Sequence, residues 1–191
     1  MKPIVREYLD TLSGLSPLSP QTRELLLNCI STRTISKGEL LLEHGEVCKH
    51  IYYVDKGLMR IFYYKDKRDI TEWFAGDKQF LFSVRSYFEE TPSKLIIEAL
   101  EDSEVILLSK EKQEVLIKTN LEVANLMIKA FSYSLILSQK RMESIQFESA
   151  KERYVSLMEQ QPEIIHKAPL QYIASFLGIT QETLSRIRSK I

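Results

Sequence analysis

The sequence predicts an α+β chain in three consecutive parts: an antiparallel β-roll of jelly-roll type, a long helix and a C-terminal helix-turn-helix. Three observations carry that prediction. Short runs rich in β-branched, aromatic and leucine residues, separated by turn residues, fill the stretch from about residue 31 to 111. Apolar residues then recur at alternating spacings of four and three from Ile117 to Ile145. The last twenty-odd residues spell two short amphipathic helices on either side of Gly178.

Residues 1–30 read as helical, with Ile4, Val5, Tyr8, Leu9 and Leu12 on one stripe and Leu25, Leu26, Cys29 and Ile30 on another. Ser19-Pro20 is a helix start, because a proline in the first turn loses no hydrogen bond. The texture changes at about residue 31, and four of the six glycines fall between Gly38 and Gly76. Leu40–Glu43, Ile51–Val54, Leu58–Tyr64, Ile70–Phe74, Leu95–Leu100 and Val105–Leu108 are the expected strands. Asp55-Lys56-Gly57 and Ala75-Gly76-Asp77 mark turns between them. Many short strands at this spacing point to a barrel or jelly roll. The charge run Asp66-Lys67-Arg68-Asp69 reads as a solvated hairpin tip.

From Lys112 to residue 147 the period is helical. Ile117, Leu121, Ala124, Ile128, Phe131, Leu135, Ser138, Met142 and Ile145 form a heptad seam. Leu116, Val123, Met127, Ala130 and Leu137 make a second stripe beside it. A helix of about 35 residues is about 50 Å long, more than one small barrel covers. The expectation is that one stripe packs on the barrel and the seam packs on a second copy, giving a parallel homodimer. Residues 148–168 read as a support helix ending at Gln160-Gln161-Pro162.

In the C-terminal segment Leu170, Ile173, Ala174 and Leu177 define one apolar helix face, and Gly178 supplies a left-handed stop. Thr180 is the N-cap of a second helix whose inner face carries Thr183, Leu184 and Ile187. Its outer face offers Gln181, Glu182, Ser185, Arg186, Arg188 and Lys190, side chains suited to base edges and phosphates in a major groove. The pattern implies binding to double-stranded DNA.

The composition sets bounds on that reading. With 26 basic and 26 acidic residues the net charge is zero, so any DNA contact comes from a local patch. A hydrophobic content of 44% supports a substantial core. No apolar run is expected to approach the length that spans a membrane. Met1–Glu7 lacks the apolar stretch of a signal peptide. Cys29 and Cys48 form no paired motif, which fits a reducing cytoplasm. No nucleophile elbow, Gly-rich phosphate loop or metal-spaced set is present, so the chain is expected to be no enzyme and to hold no metal.

Barrel, long helix and C-terminal helix-turn-helix, in that order, resemble the cyclic-AMP receptor/Fnr (Crp/Fnr) family of bacterial transcription regulators. The most specific part is Ile173-Ala174-Ser175-Phe176-Leu177-Gly178-Ile179-Thr180-Gln181-Glu182-Thr183-Leu184-Ser185-Arg186. The resemblance implies that Gln181, Glu182 and Arg186 face base edges and that the Thr183 hydroxyl reaches a phosphate. It implies a cyclic-nucleotide-binding-like β-roll over 1–111 after a helical lead-in, a dimerisation helix over 112–147 and a DNA-binding domain over 148–191. Gly76-Asp77 sits where the family has a turn before its ligand cassette.

Departures from the family pattern bear on the effector. Members that bind cyclic AMP carry a Gly-Glu pair after that turn and an Arg-Ser pair before the next strand, for the ribose hydroxyl and the cyclic phosphate. Here Phe82-Ser83 stand near the first pair and Ser93-Lys94 at the second, with Arg85 within reach on a short helix. The expected effector pocket is therefore Phe82, Ser83, Arg85, Ser93 and Lys94. Lys94 would meet a phosphate as a point charge rather than a fork. Cyclic AMP is expected to bind no tighter than millimolar, about −4 kcal/mol. Two isolated cysteines cannot hold an iron–sulfur cluster, and haem on Cys48, His44 or His50 carries little weight against structural roles. Many members continue past the recognition helix into a β-hairpin wing, which is expected to be missing here, where the sequence reads to Ile191.

The reading is a one-component, dimeric regulator whose effector is a small molecule of unknown identity. Its expected partners are double-stranded DNA, a second copy of the chain and RNA polymerase, with no membrane. The alternative is an effector-binding module whose helix-turn-helix is vestigial and which acts through protein partners. A cupin-type enzyme would need more than the scattered His44, His50 and His166.

Overall fold

The computed structural model describes residues 3–190, so Met1, Lys2 and Ile191, at the ends of the predicted first helix and of the C-terminal segment, lie outside the described residues. Helices α1 (Pro3–Leu15) and α2 (Pro20–Leu27) lead into eight strands. These are β1 (Ile30–Ile35), β2 (Leu40–Leu42), β3 (His50–Lys56), β4 (Met59–Lys65), β5 (Arg68–Ala75), β6 (Gln79–Leu81), β7 (Ile96–Ala99) and β8 (Ser103–Ser109). A short helix, α3 (Val84–Glu89), follows β6. All pairing is antiparallel, in two four-stranded sheets ordered β1-β8-β3-β6 and β2-β7-β4-β5. This is the expected β-roll.

The expected strands lie at β2, β3, β4, β5, β7 and β8; β1 and β6 were not foreseen. In β1 the pattern is one half-buried residue, four exposed and one buried, because it is an edge strand with little core to cover. Its residues Ser31-Thr32-Arg33-Thr34 therefore lack the apolar alternation that marks a strand in sequence. Gly57 marks the β3–β4 corner, at φ +125°, where an added Cβ would lie 2.1 Å from the Ser103 Oγ. Its N–H donates to the Asp77 carboxylate at 2.7 Å, tying the Gly76-Asp77 turn to that corner.

The predicted continuous helix over 112–147 is two helices, α4 (Lys110–Thr119) and α5 (Leu121–Phe147). Asn120 breaks them with extended backbone (φ −131°, ψ 110°). Its carboxamide oxygen accepts from the Val123 N–H at 3.0 Å, so it caps α5, and its amide donates to Thr22 Oγ1 at 3.0 Å. Asparagine is among the best N-caps, which is why the heptad period runs through a break it does not reveal. α5 is long and apolar enough, by length and composition, to cross a membrane, which corrects the expectation that no apolar run approaches that length.

The two predicted apolar stripes run over α4 and α5 and separate only in part, since Ile117 and Phe131 of the expected seam pack within the chain. Val123 and Met127 are buried in the roll's core, with Leu116, Ala130 and Ile117 packed against it. On the seam Leu121, Ile128, Leu135, Met142 and Ile145 are exposed, Leu121 at 76% and Leu135 at 70%. Ala124 is half-buried and Ser138 exposed, while Phe131 is engaged within the chain by Phe88 and Phe82, ring centroids 5.0 and 6.3 Å away.

Beyond α5 come α6 (Ala150–Gln160), α7 (Pro162–Lys167), α8 (Leu170–Phe176) and α9 (Gln181–Arg188). Ser149 and Glu152 cap α6 reciprocally. Pro162 ends that helix and also opens α7, a helix the single support-helix expectation did not include. The core of this part contains Tyr154, Leu157, Ile164, Ile173, Ala174, Leu177 and Leu184, and it is continuous with Leu58, Phe74 and Leu100 of the β-roll.

Candidate nucleic-acid interface

Two short helices meet around Gly178, whose φ of +69° is the left-handed conformation glycine adopts at no steric cost. The Gly178 N–H donates to the Ser175 carbonyl at 3.1 Å and the Ile179 N–H to the Ala174 carbonyl at 3.0 Å. That pair of bonds closes α8 with a Schellman motif and turns the chain sharply into α9. The Thr180 hydroxyl then accepts from the Thr183 N–H at 3.2 Å, as an N-cap should. Leu184 is fully buried and Ile187 half-buried, so the inner face of α9 is anchored.

The opposite face is free. Gln181, Glu182, Ser185, Arg186, Arg188 and Lys190 are exposed, while Thr183 is half-buried. The Arg186 guanidinium donates to the Thr183 hydroxyl at 3.3 Å, a short tether that orients a fork outward. The Thr180 hydroxyl holds the Glu182 carboxyl below its usual range, with the Glu182 backbone amide and the charges of Arg186 and Arg68 adding to the effect. Glu182 therefore stands ionised, an acceptor only. Thus Thr180, Gln181, Glu182, Ser185, Arg186 and Arg188 lie on one helix and its cap, while Lys190 lies in the turn one residue past the C-cap Ser189.

Two arginines that were not singled out in the sequence hold the turn. Arg153 on α6 donates from Nε and Nη2 to the Leu177 carbonyl at 3.0 and 2.9 Å. Arg141 on α5 donates to the Phe176 carbonyl and lies 3.9 Å over the Phe176 ring. Partial burial and the neighbouring Arg153 bring the Arg141 guanidinium down to about 10. Both satisfy carbonyls at the C-terminal end of α8 that the helix itself leaves unpaired.

The outer side of α8 rests on β5, an edge strand. The Thr71 N–H donates to the Ser175 Oγ at 3.1 Å, and the Gln171 amide donates to the Asp69 carboxylate at 3.0 Å. Phe74 and Phe176 meet edge to face at 5.2 Å. Arg60 on β4, only 3% exposed, is stacked between the rings of Tyr172 (3.4 Å) and Phe62 (4.0 Å). It also pairs with Asp69 and Glu98, each at 2.8 Å. The β4–β5 hairpin next to this joint turns through Asp66 and Lys67, both in the left-handed region (φ 50° and 63°), a two-residue hairpin turn of the primed kind.

At the expected effector pocket the residues divide. Ser83 and Ser93 are buried and hydrogen-bonded to each other at 2.9 Å, and the Ser93 Oγ also donates to the Leu95 carbonyl. Phe82 packs edge to face on Tyr87 at 5.2 Å. Arg85 and Lys94 are exposed, and Arg85 is paired with Glu89 at 2.7 Å. The structure brings Phe82, Ser83 and Ser93 together and leaves both basic residues outside them.

Residues 32–120 match the cyclic nucleotide-binding domain family. Over 105 residues the chain is 28% identical to the cAMP-dependent protein kinase regulatory subunit of Debaryomyces hansenii, covering 54% of this chain and 22% of that protein. The chain thus spans about a fifth of the length of that curated relative. Among solved structures, FixK2 of Bradyrhizobium japonicum superposes with a TM-score of 0.70 at 20% identity, over 84% of this chain and 83% of that one. A transcriptional regulator of the crp/fnr family from Eubacterium rectale gives 0.67 at 22% identity, over 89% and 82%. The catabolite activator protein of Thermus thermophilus gives 0.58 at 20%, over 94% and 85%.

Proposed function

We propose that this chain is a dimeric, DNA-binding transcription regulator: residues 32–120 match the cyclic nucleotide-binding domain family, and most of the chain superposes on Crp/Fnr regulators. The observation that carries the reading is α9, seated by Leu184, capped by Thr180 and presenting Arg186 and Arg188 exposed, with Lys190 exposed in the turn just past its end. As a recognition helix it reads base edges with Gln181, Glu182 and Arg186, and holds phosphates with Thr183, Arg188 and Lys190. The exposed α5 seam supports a twofold partner, which would set two such helices one helical turn of DNA, or a multiple of it, apart. Ser83 and Ser93, turned on each other, support an effector other than cyclic AMP. A cytoplasmic site and RNA polymerase as a further partner belong to this reading.

Fluorescence anisotropy on a selected palindrome at several salt concentrations tests it. Arg186→Ala should cost about 1–3 kcal/mol and relax preference at one symmetric base pair. Lys190→Ala should weaken all sequences alike and lower the salt slope by about one. If the two variants change sequence preference equally, α9 is not the reading helix; if the native chain shows no salt-dependent DNA binding, the unit acts through protein partners instead.

A further inference from the structure

We propose that the tip of the β4–β5 hairpin, Lys65-Asp66-Lys67-Arg68, is a second DNA-backbone contact, delivered to the reading unit from the sensor by the joint between β5 and α8. The inference rests on the DNA-binding reading of α9 and extends it to a part of the chain about a hundred residues away in sequence.

The joint supplies the geometry. Asp69, the residue after the tip, accepts from Gln171 in the first turn of α8 at 3.0 Å. Thr71, two residues further, is bonded to Ser175 at 3.1 Å, so β5 runs alongside α8 with the tip at its N-terminal end. In a helix-turn-helix the first helix crosses the sugar-phosphate backbone while the second lies in the major groove. An element anchored at the N-terminal end of α8 therefore lies beside the phosphate track. Arg68 is also among the charges that hold the Glu182 carboxyl on α9 below its usual range.

The chemistry fits the same partner. Lys65, Lys67 and Arg68 are all exposed, and none forms a salt bridge among the described residues. With one acid among four residues the tip carries two net positive charges on a chain whose total is zero. The left-handed turn at Asp66 and Lys67 closes the hairpin in a two-residue loop at the end of β4 and β5. Its base is fixed by the buried Arg60, which bonds Asp69 while stacked on Tyr172 of α8. Lys and Arg on a β-hairpin beside a recognition helix neutralise phosphates without reading bases.

The test uses the full-length chain and a labelled mixed-sequence DNA duplex, because backbone contacts carry no sequence information. Association constants are measured across a salt series for the native chain, Lys67→Ala/Arg68→Ala, Lys190→Ala, and Lys112→Ala/Lys118→Ala on α4 as a control of equal charge change. The hairpin variant should lower the slope of log affinity against log salt by about two, and the control should leave it unchanged. Thermal melting verifies that the variants are folded; Lys67→Glu, which only changes an exposed tip, serves if the double variant is not. An unchanged slope in the hairpin variant alongside a lowered one in Lys190→Ala overturns the proposal and leaves the reading of α9 standing. A gain in affinity also overturns it, making the hairpin a cover over the backbone-facing side of α8. Absence of salt-dependent binding by the native chain defeats the α9 reading and this proposal with it.

Discussion

Arg60 shows how much one residue carries in this chain. Its guanidinium is 3% exposed, stacked between two rings and paired with two carboxylates on neighbouring strands. A buried arginine is tolerated only when its charge and donors are so satisfied, and the planar fork suits both stacking and pairing better than lysine would. Arg60→Ala leaves Asp69 and Glu98 facing each other without a cation and removes the stacking partner of Tyr172. We expect a loss of about 3–5 kcal/mol in urea denaturation, in the range for breaking a buried ion pair from one side. A loss under about 1 kcal/mol would mean that solvent takes over the two acids and that the joint to α8 does not depend on Arg60. None of this is legible in Met59-Arg60-Ile61-Phe62, where an arginine between apolar residues reads as the outward side of a strand. The burial exists because α8, from the far end of the chain, covers that side.

Among the elements, the α4–α5 break turns a spacing into a defined position for α5. Asn120 ties the break to α2 through Thr22, and Glu122 in the first turn of α5 accepts from the Ser19 N–H at 2.8 Å and its hydroxyl at 3.0 Å. The Ser19 amide, with the Thr22 and Ser19 hydroxyls, holds the Glu122 carboxyl below its ordinary value of 4.5. A carboxyl lowered in the folded state stabilises fully above its unfolded pKa and loses that contribution as pH falls through the folded value. Melting temperatures of the native chain and Glu122→Gln should therefore differ above about pH 4.5 and converge on acidification. A difference that stays constant with pH would show that the carboxylate charge plays no part in the tether. The heptad spacing marks the exposed positions Leu121, Ile128, Leu135, Met142 and Ile145 of this helix, but it also includes Ile117 and Phe131, which pack within the chain, and it runs unbroken through Asn120, since periodicity does not report backbone continuity.

For the whole molecule, the α5 seam leaves five apolar side chains exposed along one helix: Leu121, Ile128, Leu135, Met142 and Ile145. Ile128 (64% exposed) and Leu135 (70%) lie at its centre, two turns apart on one face. Aliphatic side chains repeated along one helix at this exposure mark an interface. Ile128→Glu/Leu135→Glu should give monomers by light scattering, with a melting temperature close to the native one at matched monomer concentration. A double variant that remains dimeric would place the interface elsewhere. The core of the C-terminal helices is continuous with Leu58, Phe74 and Leu100, so these helices pack directly on the β-roll.

The sequence by itself determined the local grammar of this protein. The runs at β2, β3, β4, β5, β7 and β8, the glycine stop at Gly178 and the cap at Thr180 each depend on interactions within a few residues, and each lies where the sequence predicts it. Tertiary structure alone decided which polar residues are buried and what they face. Ser83 and Ser93 turn on each other, Arg141 and Arg153 hold the carbonyls of α8, and Arg60 joins β4 to Tyr172. Those pairings link residues from 10 to more than 100 positions apart, and a hydrogen bond or a stacked ring leaves no periodic trace in either partner's neighbourhood. The hairpin tip belongs to this second class: its charge is legible as four residues, and its place beside the N-terminal end of α8 exists only because β5 and α8 pack together.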